Sequence, residues 1–313
     1  MTHSAISYEN KLILAPMVRV GSTPMRLMSL KYGADLVYSP EIVDKRLIRA
    51  TRIVNELLGT VDFVDSIDRS LTLRIHHSEK DRLVVQMGTA NPELAVQAAL
   101  KVAGDCAAID VNCGCPKRFS VISNMGAALL TQPELLCSIL TNLVQNVPLP
   151  ITCKIRWVHM MLRTPEETIE LAKRLEATGI KALALHCRTK KMTEKDKGQW
   201  SIFKPVREAL SIPLIANGDC FKADDVDKLK RLTGVSSVMV ARGAQKNISI
   251  FRGPGNQLDP WDVMVDYCKT AIELDMPFHN AKYTLLTMWS NVRKSRGESP
   301  QRISRTRSMR QVW

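Results

Sequence analysis

Cys115 lies in the run Asn112-Cys113-Gly114-Cys115-Pro116-Lys117, directly after the apolar stretch Ala107-Ala108-Ile109-Asp110-Val111. That stretch predicts a short buried β-strand, which puts the thiol on the loop at the strand's C-terminal end. In a parallel α/β barrel that end carries the chemistry. Gly114 and Pro116 constrain the backbone on either side and aim the Cys115 side chain. A thiol, with a free pKa of about 8.5, is mostly protonated at neutral pH and can deliver a proton. The plainer reading, a reduced cysteine that fills space as a small hydrophobe, stays open here. The Gly-Cys-Pro turn at a strand end favours chemistry.

The other strand ends carry a matching polar set. Pro16-Met17-Val18-Arg19 follow the first apolar run, Glu41 the second, and Gln86 lies near the end of the third. Asn112 follows the fourth run, Lys154 ends the fifth and His186 follows the sixth. Asn217-Gly218-Asp219 follow the seventh, and Ala241-Arg242-Gly243 the eighth. A lysine inside a buried strand is expensive without an anionic partner, so Lys154 points to a ligand or an ion pair. A ring of amides and charges suits a planar heteroaromatic ligand. The glycines after runs seven and eight, with Arg242, suit the phosphate site that barrels place there.

The elements that must position these residues recur regularly. Eight short apolar runs are Leu12–Ala15, Asp35–Tyr38, Leu83–Met87, Ala107–Val111, Ile151–Ile155, Lys181–Leu185, Pro213–Ala216 and Ser237–Ala241. They are continuous rather than alternating, as strands buried on both faces are. Helical patterns lie between them: Pro92 opens 92–103, Pro133 opens 133–146, and 165–178 ends at Gly179. Strand and helix alternating eight times predict a (β/α)8 TIM barrel. The polar stretch 58–82 interrupts the pattern and predicts a hairpin or loop. After the linker Arg252–Asn256, two more helices are expected over Pro260–Leu274 and His279–Lys294. They form a small, incomplete helical domain that must pack on the barrel or on further helices.

Composition narrows the function classes. The 313 residues suffice for one large domain and an appendage, and no apolar run approaches a membrane span. The N-terminus has no basic region ahead of a long apolar stretch, so no secretory signal is expected. Eight scattered cysteines, with only Cys113 and Cys115 closely spaced, predict neither a disulfide framework nor a metal site. A reducing compartment, cytoplasm or nucleus, is expected. The formal charge is +13, and residues 291–313 hold seven Lys/Arg against Glu298 alone. Lys45, Arg49 and Arg52 are expected on one helix face. Such a surface suits a polyanion such as nucleic acid, although a solvated, disordered tail fits the last residues equally well.

Taken together the motifs resemble the dihydrouridine synthase family, flavin enzymes that reduce uridine in tRNA. The resemblance rests on Leu14–Gly21 (LAPMVRVG), Gln86-Met87-Gly88, Asp110–Lys117 (DVNCGCPK), Met125–Leu130 (MGAALL), Thr152–Arg156 (TCKIR), Ala216-Asn217-Gly218 and Val238–Arg242 (VMVAR). These occur in order over residues 10 to about 290, and with Val54-Asn55-Glu56 look most like the eukaryotic branch acting on position 20 of the D-loop. The resemblance implies an FMN-binding catalytic barrel over 1–251 and a helical tRNA-binding appendage with a basic tail over 258–313. FMN would rest on Pro16, Met17 and Val18. Gln86, Asn112, Lys154 and His186 would serve its polar edge, and Asn217, Gly218, Asp219, Ala241 and Arg242 its phosphate. Arg19, Glu41, Asn112, Lys117 and Arg156 would meet the tRNA substrate. NADPH would reduce the flavin, hydride would pass to C6 of the uracil, and Cys115 would be the general acid at C5. A monomer without membrane or metal partners is implied.

Several stretches depart from the family pattern. Trp157–Arg163 is longer than in relatives, and Gly243–Ile248 (GAQKNI) stands where relatives carry Trp-Asn-Pro. Asp219-Cys220-Phe221 replaces small or polar residues, and the C-terminal helical region runs short near Trp289, without the double-stranded-RNA-binding extension of animal relatives. On that basis flavin binding and reduction would survive while tRNA docking weakens. Two other readings stay open: a barrel reductase of a free pyrimidine or other small molecule, and a turnover-deficient tRNA-binding protein.

Overall fold

The structure is a computed structural model that describes residues 6–158, 165–296 and 307. The Trp157–Arg163 segment past Val158 and, apart from Arg307, the basic tail from Gly297 lie outside the described residues.

Its strands are β1 (Leu12–Leu14), β2 (Leu36–Tyr38), β3 (Ile42–Val43), β4 (Ala50–Asn55), β5 (Thr60–Asp65), β6 (Leu71–His76), β7 (Leu83–Gly88), β8 (Ala108–Cys113), β9 (Ile151–Arg156), β10 (Ala182–His186), β11 (Leu214–Asn217) and β12 (Ser237–Val240). Eight of them, β1, β2 and β7 to β12, pair in parallel around a ring that β1 and β12 close. This is the expected TIM barrel, with helices outside and the polar residues at the strands' C-terminal mouth. The helix Pro133–Asn146 has the expected bounds, and those at Pro92–Val102 and Glu166–Glu176 end within two residues of expectation.

Alternation along the strands, hidden in an all-apolar sequence, decides what the mouth receives. Ile13, Tyr38, Val84, Ala108, Ala184, Ile215 and Met239 form one cluster drawn from seven strands, which only the ring's interior can bring together. Val85, Ile109, Cys153, Leu185, Ala216 and Val238, their neighbours in sequence, join the outer cluster with the helices. Stepping by two from the inner set reaches Gln86, Asp110 and Asn112, His186 and Asn217, so these side chains share the barrel axis. Tyr8, from the segment ahead of β1, is buried in the same inner cluster.

The region between β2 and β7 differs from the hairpin or loop expected over 58–82. It begins earlier and forms a three-stranded antiparallel sheet, β4-β5-β6, followed by a 3-10 turn at His77–Arg82. Ion pairs hold it: Arg74 to Asp62 and Arg49 to Asp65 at 2.6 Å, and Arg26 to Glu79 at 2.7 Å. Arg26 is 1% exposed and Glu79 fully buried, joined bidentately through Nε and Nη2. The expected basic helix face is also corrected. The helix stops at Arg49, and Arg52 lies on β4 with both Asp105 oxygens at 2.7 Å. Arg49 and Arg52 are therefore neutralised locally.

The helices Pro260–Glu273 and Phe278–Arg296 pack on each other and against the barrel. Tyr267, Leu285 and Met288 are buried in the same cluster as the barrel's outer layer. The Tyr32 hydroxyl donates to Asp266 at 3.2 Å, and the Arg74 guanidinium donates to the Leu274 carbonyl at 2.5 Å.

Removing one partner of a fully buried, bidentate pair leaves a stranded charge, at a cost of about 3–5 kcal/mol. Glu79→Ala is expected to lower unfolding free energy by that amount in urea titration. The paired change Arg26→Met with Glu79→Leu should lose markedly less.

Candidate active site at the barrel mouth

The turn carrying Cys115 is held from three sides. The Asn112 Oδ1 accepts the backbone N–H groups of Gly114 and Cys115, each at 3.0 Å. Arg156 donates through Nε to the Gly114 carbonyl at 2.7 Å and through Nη1 to the Thr189 carbonyl at 3.2 Å. The Ala127 N–H donates to the Cys115 carbonyl at 2.9 Å. Gly126, at φ +59°, makes that last contact possible: a Cβ there would lie 2.7 Å from the Cys115 carbonyl oxygen and 2.4 Å from Ser120 Oγ. The Met125–Leu130 motif is thus a backstop for the thiol turn.

Asn112 is itself held from below. Its Nδ2 donates to Gln86 Oε1 at 3.1 Å, and Gln86 Nε2 donates to Asp110 Oδ2 at 2.8 Å. Thr152 donates to Asp110 Oδ1 at 2.6 Å. Asp110 is fully buried, and burial pushes its carboxyl up to about 6 against the two hydrogen bonds. These contacts leave one N–H on Gln86 and one on Asn112 for a ligand.

Burial pushes the Cys115 thiol above the ordinary thiol range, and the Glu41 charge adds to that effect. Glu41 is the counterpart: burial raises its carboxyl to about 7, opposed by the Cys115 thiol and the Lys117 charge. Both its oxygens are buried and have no hydrogen bond of full geometry among the described residues. Of the two partners expected for Lys154, a ligand or an ion pair, the structure supplies no ion pair. No carboxylate comes within ion-pair distance of it among the described residues, and burial together with Arg156 lowers its pKa to about 8. The acid whose charge reaches it, Asp110, is committed to Thr152 and Gln86.

Beside this group opens a cavity of about 640 Å³, including its solvent-facing mouth. Arg156, His186, Asn217, Gly218, Asp219, Ala241 and Arg242 line it, as do Arg188 and Phe221, for which no site role is expected from the sequence. Asp219, in left-handed backbone at φ +56°, accepts Arg188 at 2.5 Å, Arg242 at 2.6 Å and the Gly198 N–H at 2.5 Å. Its carboxylate therefore organises two arginines rather than offering itself to a ligand. Arg242 also lies 4.8 Å over the Phe221 ring and donates to the Glu194 carbonyl, so its fork is fixed in advance. Burial, then Lys154 and three arginines, drives the His186 pKa far down, leaving a neutral ring. Asn217 spends its Nδ2 on the Met239 carbonyl at 2.8 Å.

Pro16, Met17, Val18, Arg19, Glu41, Gln86, Asn112, Cys115, Lys117 and Lys154 lie outside this cavity's wall. Val18 is 42% exposed, and Arg19, at φ +68°, lies 5.7 Å from the Tyr283 ring of the last helix. In place of Trp-Asn-Pro, residues Arg242–Lys246 form a short helix followed by a 3-10 turn. Arg188 left one trace in the sequence, its position two residues past the β10 end. Phe221 stood out only as a departure from the family pattern.

The donor set fits a phosphorylated flavin: a half-buried Lys154 with no ion-pair partner among the described residues, amide N–H groups at the axis, and two preset arginines on the wall of the neighbouring cavity. Among the described residues no group of three His, Cys, Asp or Glu is placed to hold a metal, and no helix is long and apolar enough to cross a membrane.

The family model for dihydrouridine synthase matches residues 13–273. The tRNA-dihydrouridine(20) synthase (NAD(P)+) of Schizosaccharomyces pombe is 43% identical over 290 residues, covering 90% of this chain and 60% of the relative. That of Saccharomyces cerevisiae is 39% identical over 301 residues, covering 90% of this chain and 77% of the relative. The chain thus spans less than two thirds of the first relative's length. Among solved structures, a 2-naphthoyl-CoA reductase complex matches at TM-score 0.52 and 12% identity, over 80% of this chain and 51% of that one. A histamine dehydrogenase from Rhizobium sp. 4-9 matches at TM-score 0.54 and 11% identity, over 79% and 46%. These last two likenesses concern the fold alone. By motif order, barrel geometry and sequence identity, the chain belongs to the dihydrouridine synthase family.

Proposed function

We infer that this chain reduces a D-loop uridine of tRNA, at position 20, to 5,6-dihydrouridine, using FMN and NADPH. The observation that carries the reading is the Cys115 turn: a protonated thiol fixed at the mouth of a barrel whose motifs and relatives are those of tRNA-dihydrouridine(20) synthases. A monomer in a reducing, cytoplasmic setting fits its eight free cysteines.

Lys154 and the amides of Gln86 and Asn112 would hold the flavin's polar edge, with Arg242, Gly218 and Ala241 at its phosphate and Pro16 to Val18 beside the ring. Bound there and reduced by NADPH, the flavin would supply the hydride that C6 of the uracil accepts. Cys115 then delivers the thiol proton to C5, and the thiolate left behind recovers a proton from solvent. Glu41, raised to about 7 beside that thiol, is suited to hold a proton there. Base extrusion from folded tRNA costs a few kcal/mol. Lys117 and Arg19, exposed at the mouth, would offset it through phosphate contacts.

Cys115→Ala is expected to keep the yellow flavin and NADPH oxidation while dihydrouridine formation, read by nucleoside mass spectrometry, falls by about 100-fold or more, the range for losing a general acid. Parallel loss of flavin would make Cys115 structural instead. Because the thiol must be protonated and its pKa is raised, single-turnover reduction should hold through neutral pH and fall only above the ordinary thiol value of about 8.5. A fall beginning below about pH 8 would report another group, Glu41 at about 7 or Lys154 at about 8. Lys154→Ala should weaken flavin retention on dialysis about tenfold, the effect of one lost charge-assisted hydrogen bond. Turnover of free uridine at the rate seen with unmodified tRNA would favour the small-molecule reductase.

A further inference from the structure

We propose that Asp110 is a positioning residue for the Cys115 turn, acting through Gln86 and Asn112 in series. The proposal rests on the reading of Cys115 as proton donor. It concerns a residue that touches neither the turn nor the cavity.

Asp110 is fully buried inside the ring, opposite Gln86 on β7 and Thr152 on β9 in the strand register. The series runs Asp110, Gln86 at 2.8 Å, Asn112 at 3.1 Å, then the N–H groups of Gly114 and Cys115 at 3.0 Å. Its two ends are chemically fixed. An ionised carboxylate only accepts, and a backbone N–H only donates. Between such ends, two amides can be inserted in one order only, each presenting NH2 downward and its carbonyl oxygen upward. Reversing either amide would set donor against donor or acceptor against acceptor in a buried site. The carboxylate thus dictates which atom of Asn112 faces the turn.

Neighbouring groups reinforce this polarity. Thr152 donates to the second Asp110 oxygen, and the Lys154 charge on β9 favours the ionised form. Tyr8 and Tyr38, whose hydroxyls are buried in the inner cluster, lie close enough to feel the Asp110 charge and stay protonated beside it. Position matters as much as charge. Asp110 and Asn112 lie two apart on β8, so both face the axis while Val111 between them faces the helices.

The test uses the full flavin-loaded chain at about pH 8, above the raised Asp110 value, with the parent alongside to report whether dihydrouridine forms at all. Asp110→Ala should slow uridine reduction about tenfold or more while keeping flavin absorbance and NADPH oxidation. Gln86→Leu removes the link between Asp110 and Asn112, and adding Asp110→Ala to it should cost less than about twofold further, because the series is already cut. Cys115 alkylation by iodoacetamide, read by peptide mass spectrometry without substrate, should shift about threefold or more in Asp110→Ala and in Gln86→Leu alike. A further loss of about tenfold in the double variant overturns the proposal, as does parental turnover in Asp110→Ala or parallel loss of its flavin, oxidation and turnover.

Discussion

Closure of the parallel ring is the constraint on which the rest depends. Once β12 pairs with β1, every second residue of eight strands must point at one axis, where little water can reach. The lower axis meets that demand with small and apolar groups such as Ala108, Ala182, Ala184 and Ile215. The upper axis carries polar groups instead, and these must satisfy one another or a ligand. Asp110, Thr152, Gln86 and Asn112 do the former. Lys154 has no carboxylate within ion-pair reach among the described residues, so the mouth keeps an unbalanced charge where a second layer of core would carry none.

The barrel mouth has two halves with different physics. Around Cys115 the groups are held by backbone: the Gly114 and Cys115 N–H groups below, the Cys115 carbonyl behind, and the Gly114 carbonyl to one side. Around the cavity they are held by charge, through a single carboxylate that gathers two guanidinium groups. The first half favours a fixed, neutral proton donor. The second favours an anion, and Arg156 joins the halves by bonding to Gly114 on one loop and Thr189 on the other.

The barrel strands were legible because parallel strands buried on both faces leave continuous apolar runs, and Pro92 and Pro133 mark helix starts unambiguously. The β4-β5-β6 sheet was not. Asp62 and Asp65 on β5 read as loop residues, yet Arg74 and Arg49 neutralise them from 12 and 16 residues away. Arg52 followed helical spacing from Lys45 and Arg49 but was claimed by Asp105, 53 residues on. In the candidate site, strand-end position singled out Cys115, Lys154 and Arg242. It could not reveal that Asp219 faces arginines, since Arg188 approaches through a fold that no local pattern encodes. The resemblance put Gln86 and Asn112 at the flavin's polar edge, and half of each amide is used inside the protein.

The shared carboxylate of Asp219 has a consequence for how this site can diverge. Arg188, Asp219 and Arg242 come from three separate strand ends, but they form one electrostatic unit with a net single positive charge. Losing the acid would release two like charges against each other, and losing one arginine would leave a neutral pair. Each single step therefore changes the strength or spacing of the cavity's field. Descendants of this sequence should keep all three residues or replace them together, so the triplet is inherited as one character even though its members lie up to 54 positions apart.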